Sequence, residues 1–382
     1  MWLFIYSIIV LLYWVALSGY LLYNGQKIKY LFTIADLKMD SSPSVIIIIA
    51  MRNEEKTIRD ALSTVCKLNY PNYKVLVVND RSTDRSYEII KEFQQANTKI
   101  QILNIQTLPP GWLGKNHALY SGYQNSSEEY LLFTDADVLY MPDVLSKAMQ
   151  YVQQNHLDHL TILPGIISDN SILKSILSTF VIMLSAWQRP WAAKDKTSKA
   201  SMGVGAFNLV KRTAYEKSGT HKSISMRPDD DLKLAEQLKK AGASADVLYG
   251  IGEIELEWYA TVKEFINGLM KNSFSGLDYS IMKMIGAVSG ILVFFVLPIP
   301  GILIFGTNTE RVLIALMFCF QLTLYKNMQG TAGKGWYALM SIYAGLILCY
   351  IMIRAAFITS LKGGIVWRDT FYSLKELKGN SF

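Results

Sequence analysis

The hydrophobic positions of this 382-residue chain are concentrated towards its two ends. Residues 2–23 are almost entirely apolar and uncharged, and further apolar runs lie at 285–305, 312–325 and 336–361. About 20 consecutive apolar residues are needed to cross the hydrocarbon core of a bilayer as a helix. The pattern therefore predicts an N-terminal transmembrane anchor over 1–24, a C-terminal transmembrane region over 281–361 and a basic tail over 362–382.

The flanks of these runs predict how the chain is oriented. The first run lacks a basic start and a small-residue cleavage site, which favours an uncleaved anchor. Lys27 and Lys29 follow it directly, so the positive-inside rule places the next domain in the cytoplasm of a multi-pass cell-membrane protein. Pro298 and Pro300 are expected to break the second run. Three full C-terminal crossings would put the basic tail outside, so one run is expected not to cross fully.

Between the apolar ends, β-branched runs alternate with helical patterns. Strand-like runs lie at 44–50, 73–78, 100–105 and 130–133, and helical patterns at 57–67 and 85–96. A short run of this kind without polar alternation is typical of a strand buried on both faces. We therefore predict one cytoplasmic domain over 40–280, of the α/β class with a Rossmann-like, mostly parallel sheet.

Polar clusters follow three of the predicted strands, at 52–55, 79–84 and 134–137. Ligands of parallel sheets bind beyond the carboxyl ends of the strands, so these clusters are expected to meet at one rim. Arg52 and Glu54 would line a nucleotide pocket there, although Glu54 also suits the dipole of a first helical turn. Asp80, at a strand end, is positioned to bind a base or a ribose.

Two further features are candidates for phosphate and metal chemistry. Asp135 and Asp137, one residue apart at a strand end, offer the oxygen ligands that Mg²⁺ or Mn²⁺ prefers; the alternative is a solvated turn. The loop at 109–118 contains glycines that allow close backbone approach. Its Lys115 is a mobile cation for phosphate, or else an ordinary solvated lysine.

Asp229, Asp230 and Asp231 open an amphipathic helical pattern. Acidic residues in a first turn often only complement the helix dipole. Three together repel one another, which raises their affinity for a proton and would suit a general base.

Charge and cysteine content exclude some functions. The net charge is +7, from 38 Lys and Arg against 31 Asp and Glu, and basic residues cluster beside the apolar runs. No basic stripe with interleaved aromatic residues is present, so no nucleic-acid partner is expected. The three cysteines lack metal-ligand spacing and predict neither a zinc site nor a disulfide framework.

The order of these motifs over residues 44–276 resembles glycosyltransferase family 2, the inverting nucleotide-sugar enzymes with the GT-A fold. The resemblance implies that Asp80 contacts the base, usually uracil, and that Lys115 lies near the sugar diphosphate. It implies that Asp135 and Asp137 bind the metal, and that Asp229 stands where the family has its catalytic base. Pro228 replaces the preceding family Glu, so the choice among the three aspartates stays open, with Asp229 and Asp230 as our candidates.

The loop at 109–118, the run at 203–207 and the tail at 363–368 resemble the branch that glycosylates carotenoids and hopanoid-like lipids, including the 4,4'-diaponeurosporenoate glycosyltransferases. That branch implies transfer from a UDP-sugar, such as UDP-glucose, to a lipid acceptor in the membrane, such as a carotenoid acid or a similar isoprenoid. Apolar stretches at 172–191 and 258–274 are then expected to be interfacial helices, or else core helices.

Three alternatives stay open at this point. A processive polysaccharide synthase would share the acidic motifs but usually has Gln-x-x-Arg-Trp after them, which is absent between Asp231 and Gly276. A diacylglycerol or polyprenyl-phosphate glycosyltransferase would differ only in its acceptor. A non-catalytic binding protein on the same scaffold is disfavoured because the acidic positions are retained.

Overall fold

The structure, a computed structural model, describes residues 1–35, 42–330, 333–367 and 370–379. These residues form two compact units. One, here called the sheet unit, contains residues 28–167 and 189–258. The other, the helical unit, contains residues 1–27, 168–188 and the described residues from Tyr259 onward. The predicted domain over 40–280 therefore includes two segments, 168–188 and 259–280, that group with the apolar helices.

All strands except β10 and β11 lie in the sheet unit. In chain order they are β1 (Lys29–Tyr30), β2 (Val45–Met51), β3 (Tyr73–Asp80), β4 (Ile100–Ile105), β5 (Tyr130–Thr134), β6 (Leu139–Tyr140), β7 (His159–Ile166), β8 (Asn208–Lys211), β9 (Ala245–Leu256), β10 (Gly364–Trp367) and β11 (Thr370–Ser373).

The helices follow the same numbering. They are α1 (Trp2–Gly25), α2 (Ile58–Val65), α3 (Ser86–Ala96), α4 (Gly114–Gln124), α5 (Val144–Gln154), α6 (Ser171–Gln188), α7 (Arg212–Lys217), α8 (Asp230–Lys240), α9 (Val262–Ser275), α10 (Ile281–Ile291), α11 (Pro298–Phe305), α12 (Asn308–Asn327), α13 (Ser341–Lys362) and α14 (Leu374–Gly379).

The sheet unit is built on one mixed, mostly parallel sheet, with strand order β1-β9-β7-β8-β5-β2-β3-β4 and with β6 added beside β9. Strands β5, β2, β3 and β4 run parallel, as do β7, β9 and β1, whereas β8 is antiparallel to both of its neighbours. The predicted α/β class with a mostly parallel sheet is confirmed, and all four predicted strands are present.

Strand β2 shows why the sheet is covered on both faces. Ile47 and Ile49 belong to the core cluster that includes α2, α3 and α5, whereas Ile46 and Ile48 belong to the cluster that includes α4 and α8. Successive side chains of a strand point to opposite faces, so an unbroken isoleucine run satisfies two apolar layers at once. The result is a helix–sheet–helix sandwich whose carboxyl edge is free to carry polar loops.

Among the described residues, three helical segments are long and apolar enough to cross a membrane: Trp2–Gly25, Ser171–Ala192 and Gly335–Lys362. They belong to the helical unit, except for residues 189–192. A fourth candidate is the pair Ile281–Val296 and Pro298–Phe305, which is bent by 50°. The break lies at Pro298, as the sequence predicts. The stretch at 172–191, expected to be interfacial, has the length and composition of a span, whereas α12 is not among the candidates.

The C-terminal residues carry more secondary structure than a basic tail implies. Strands β10 and β11 pair as an antiparallel hairpin, and the short helix α14 follows them. Arg368, which belongs to the predicted tail motif, lies outside the described residues.

Buried His159 provides a first prediction, on stability. Its Nε2 lies 2.7 Å from Asn208 Oδ1, and burial lowers the pKa of His159 to about 4. His159 in the unfolded state binds a proton below about pH 6.5, whereas in the folded state it stays neutral down to about pH 4. The free energy of unfolding therefore decreases as pH falls from about 6.5 to 4, by about 3 kcal/mol in total. We expect the thermal midpoint in detergent to fall over that window, and His159→Gln to reduce the fall. An unchanged slope in the variant would contradict the assignment.

Candidate active site

The loops after β2 and β3 are locked to each other at the carboxyl edge of the sheet. Asn53 and Arg81 both have left-handed backbones, with φ of 57° and 58°, so each chain turns sharply as its strand ends. Several hydrogen bonds then join the two segments, among them Asn53 N to Ser82 Oγ, Thr83 N to Asn53 Oδ1, Glu54 N to Ser86 Oγ and Glu55 N to Asp84 Oδ2. Two of the three polar clusters predicted to converge are therefore held together at this edge.

Asp80 lies at the end of β3, almost fully buried between two arginines. Arg81 donates to both of its carboxylate oxygens, at 2.8 and 3.1 Å, and Arg52 Nη1 lies 4.0 Å from Oδ2. Gly114 packs directly against the same carboxylate, and a Cβ at that position would collide with Asp80 Oδ2. The glycine therefore brings the start of α4, with Lys115, to the strand end.

Lys115 connects two of the predicted acidic motifs. Its Nζ lies 2.9 Å from Asp135 Oδ1 and 3.4 Å from Asp230 Oδ2. Although burial opposes a charge here, the carboxylates of Asp135 and Asp230 raise the pKa of Lys115 above its usual value. The ammonium group is therefore charged and stands between the end of β5 and the start of α8, where it lines a small cavity with Asp231 and His221.

Asp137 has a buried, unpartnered oxygen and a raised pKa, two features that a bound cation would account for. Its Oδ1 is buried and has no hydrogen-bond partner. Burial, together with the charges of Asp135 and Glu54, raises the pKa of Asp137 to about 7. A divalent ion would satisfy the oxygen and relieve the repulsion.

The residues present fit Mg²⁺ or Mn²⁺ only with ligands from a substrate. Over the described ranges, no three His, Cys, Asp or Glu side chains are grouped closely enough to hold an ion by themselves. Mg²⁺ commonly takes one or two carboxylates and completes its coordination with phosphate oxygens and water. Asp135 and Asp137 suit that arrangement.

The three aspartates at the start of α8 have different partners. Asp229 forms a buried ion pair with Arg227, with N–O distances of 3.0 and 2.8 Å. Asp230 is 4% exposed and faces Lys115. Asp231 is half-buried and accepts the backbone N–H groups of Gly205, at 2.9 Å, and Leu232, at 2.8 Å.

Gly205 ties the acidic helix to the end of β5. Its N–H donates to Asp231 Oδ2, and its carbonyl oxygen accepts the Asp135 N–H at 3.0 Å. A Cβ at this position would collide with Asp135 Oδ2. Only glycine therefore permits the close approach of the two carboxylates on either side of this peptide.

The structure brings together most of the predicted site residues: Arg52 with Asp80, and Lys115 with Asp135 and Asp230, while the charge of Glu54 acts on Asp137. Asn116 and His221 were missed. Burial lowers the pKa of His221 to about 3, so it is neutral, and its Nδ1 lies 2.6 Å from the Tyr215 hydroxyl. No local pattern marks Asn116, because its partners lie more than a hundred residues further along the chain, whereas the partner of His221 is only six residues away.

The chain is similar to known glycosyltransferases. Residues 46–219 match the family described as Glycosyl transferase family 2. The chain is 26% identical over 216 residues to a poly-beta-1,6-N-acetyl-D-glucosamine synthase from Staphylococcus epidermidis, a match covering 56% of this chain and 50% of that protein. It is 24% identical over 261 residues to a 4,4'-diaponeurosporenoate glycosyltransferase from Staphylococcus haemolyticus, covering 67% of each. The chain thus matches about half the length of the synthases.

A solved structure shows the same fold. The mannosyltransferase PcManGT from Pyrobaculum calidifontis, in complex with GDP-Man and Mn²⁺, superposes with a TM-score of 0.55 at 15% identity, over 94% of this chain and 99% of that one. The predicted GT-A-like architecture is confirmed. Residues 46–219 of this chain thus resemble a glycosyltransferase domain of family 2, and the fold agrees with that resemblance.

Proposed function

We propose that the protein is a metal-dependent inverting glycosyltransferase that moves a sugar from a UDP-sugar, with UDP-glucose as the first donor to test, to a lipid acceptor in the membrane. The observation that carries this proposal is the Lys115 ammonium, held between Asp135 and Asp230. This ammonium group contacts Asp135, which is suited to bind a metal ion, and Asp230, at the start of the acidic helix that offers a base. It is itself suited to bind a diphosphate.

At the donor end, each residue has a role that follows from its position. Asp80, which contacts Arg81 and Arg52, would accept a hydrogen bond from the base. Lys115 would bind the diphosphate as a cation. When bound, Mg²⁺ or Mn²⁺ would supply positive charge to the leaving diphosphate; Asp135 and Asp137 would hold it, and the Mn²⁺ complex of the mannosyltransferase supports a cation of this kind.

For the proton, we propose Asp231 rather than Asp229 or Asp230. A general base must reach its acceptor, and Asp231 is the most exposed of the three. Asp229 is occupied by Arg227, and Asp230 neutralises Lys115. The Gly205 and Leu232 N–H groups would orient the Asp231 carboxylate. The acceptor oxygen forms its bond to the anomeric carbon as the bond to the diphosphate breaks, and a hydroxyl proton passes to Asp231.

An acceptor in the membrane is supported by the helical unit. It contains three helical segments of spanning length and one bent pair. A relative of similar length is named for a carotenoid acid, 4,4'-diaponeurosporenoate. A carboxylic acid is already ionised at neutral pH and needs little help from a base. We further propose a multi-pass cell-membrane location with the sheet unit in the cytoplasm, because Lys27 and Lys29 follow α1.

The second candidate is a processive polysaccharide synthase, favoured by the 26% identity to the Staphylococcus epidermidis enzyme. The absent Gln-x-x-Arg-Trp motif argues against it. Diacylglycerol or polyprenyl phosphate as the acceptor is a narrower alternative within the lipid proposal.

A radiolabelled transfer assay tests the proposal. Membranes holding the full chain are incubated with labelled UDP-glucose and Mn²⁺, with and without chelator, and the organic extract is counted. We expect label in the organic phase that disappears with chelator, and mass spectrometry then identifies the acceptor. Label only in an insoluble polymer would favour the synthase. No transfer from several UDP-sugars, with acceptor lipids added, would contradict the proposed activity.

A further inference from the structure

Asn116 is a fully buried amide one residue after Lys115, in the first turn of α4. Its Nδ2 lies within hydrogen-bond distance of three backbone carbonyl oxygens: Ile224 at 2.8 Å, Arg227 at 3.0 Å and Ser225 at 3.2 Å. The Leu113 N–H donates to the Ser225 carbonyl oxygen as well, at 2.9 Å. The start of α4 is therefore fastened to the segment 224–227.

That segment leads directly into the three aspartates. Arg227, whose carbonyl oxygen Asn116 contacts, forms the ion pair with Asp229, and Asp230 follows. On its other side, Asn116 is joined by one peptide bond to Lys115. The same amide therefore fixes both ends of the 3.4 Å contact between Lys115 and Asp230.

The chemistry of the amide leaves one orientation. Three carbonyl oxygens surround Nδ2, whereas Oδ1 is buried without a hydrogen-bond partner. Turning the amide over would point Oδ1 at three other oxygens, which repel it. A buried polar group with an unsatisfied oxygen costs stability. An apolar residue could fill the same space without this cost. We therefore attribute the presence of Asn116 to the hydrogen bonds that its Nδ2 donates.

We propose that Asn116 is a positioning residue: by donating to the segment 224–227, it holds the Lys115 ammonium between Asp135 and Asp230 and so sets the affinity for the diphosphate of the donor. This inference rests on the proposed function. It assigns no contact between Asn116 and the substrate. A role limited to filling the core is the competing explanation, and the two differ in what an isosteric change does.

Asn116→Asp keeps the shape but replaces the donor with an oxygen. With the full chain in detergent and Mn²⁺ present, isothermal titration of UDP should give a dissociation constant raised about tenfold, the scale of one weakened charge-assisted hydrogen bond. Asn116→Ala, which removes the donor without adding repulsion, should raise it as well. The matched control is Asn125→Asp, because Asn125 lies at the exposed end of the same helix and should leave the constant unchanged.

A double-mutant cycle identifies the route of the effect. If Asn116 acts through Lys115, then Asn116→Asp should change UDP affinity little in a Lys115→Ala background. A purely structural role predicts otherwise: fewer binding sites per molecule, as misfolded protein accumulates, with the same dissociation constant in the folded fraction. That result, or an equal effect in both backgrounds, would overturn the inference. Failure of the unmodified protein to bind UDP would instead reject the proposed donor.

Discussion

Asp137→Asn is expected to lower glycosyl transfer by at least about a hundredfold at saturating donor, because it removes a carboxylate from the proposed cation site, and lost electrostatic stabilisation of a developing charge has this scale. The same change should not destabilise the fold. Burial and the neighbouring Asp135 and Glu54 already raise the pKa of Asp137 to about 7, so the neutral amide relieves repulsion. The rate, the Mn²⁺ dependence and the thermal midpoint would be measured on one preparation.

Asp60→Asn serves as the control for that variant, since Asp60 is an exposed carboxylate on α2. It should keep both the rate and the Mn²⁺ dependence. If the Asp137→Asn protein transfers sugar at the normal rate with an unchanged Mn²⁺ requirement, then Asp137 does not bind the metal. A low rate with a lowered thermal midpoint would show damage to the fold instead.

Asp231→Asn is expected mainly to lower the catalytic rate, and Asp229→Asn is expected mainly to lower the stability of the fold. With a hydroxyl acceptor, Asp231→Asn should lower kcat by about 10²–10⁴-fold, the usual contribution of a general base. It should lower the thermal midpoint less than Asp229→Asn does, because the amide keeps one acceptor oxygen for the Gly205 and Leu232 N–H groups and no charged partner is left unpaired. Asp229→Asn breaks the buried pair with Arg227, which typically costs about 3–5 kcal/mol, and should lower the midpoint while the folded fraction remains active. Rates per folded molecule, together with thermal midpoints, separate the two.

The pH profile adds an independent check on Asp231. Burial raises the pKa of Asp231 above its ordinary value. A base must be deprotonated, so kcat should fall as pH drops through this raised pKa, and that acid limb should be lost in Asp231→Asn. A carboxylic acid acceptor would make both effects small. Loss of kcat in Asp229→Asn at an unchanged midpoint would transfer the base role to Asp229.

The parts of the fold that the sequence predicts are those with unbroken local patterns. Strands β2, β3 and β5 are apolar runs that are buried almost throughout, and β4 is a partly exposed strand at the edge of the sheet; the sequence predicts all four. Strands β7 and β9 were missed because Pro164 interrupts one and Gly250 and Gly252 interrupt the other. Their pairing, with a shift between Pro164 and Gly165, depends on tertiary contacts rather than on residue type.

The site shows the same division between local and distant information. Acidic residues at strand ends are visible in the sequence because their position implies convergence. The sequence does not show that the three aspartates have different surroundings, because adjacent identical residues can be distinguished only by the groups that they contact in the fold. Two of those partners, Lys115 and the Gly205 peptide, come from distant segments of the chain, and Arg227 lies two residues before Asp229.

The discontinuous helical unit determines how the protein can be shortened. Helix α6 lies in the middle of the sequence, yet its Thr179 hydroxyl lies 2.8 Å from that of Tyr325, on α12. A fragment ending at 258 would keep this apolar helix and lose those partners, so trimming both termini should yield an aggregating product rather than a soluble catalytic fragment. For the same reason, the helical unit cannot complete its packing during synthesis until the ribosome has passed α12, which leaves α6 dependent on the membrane or on chaperones in the interval.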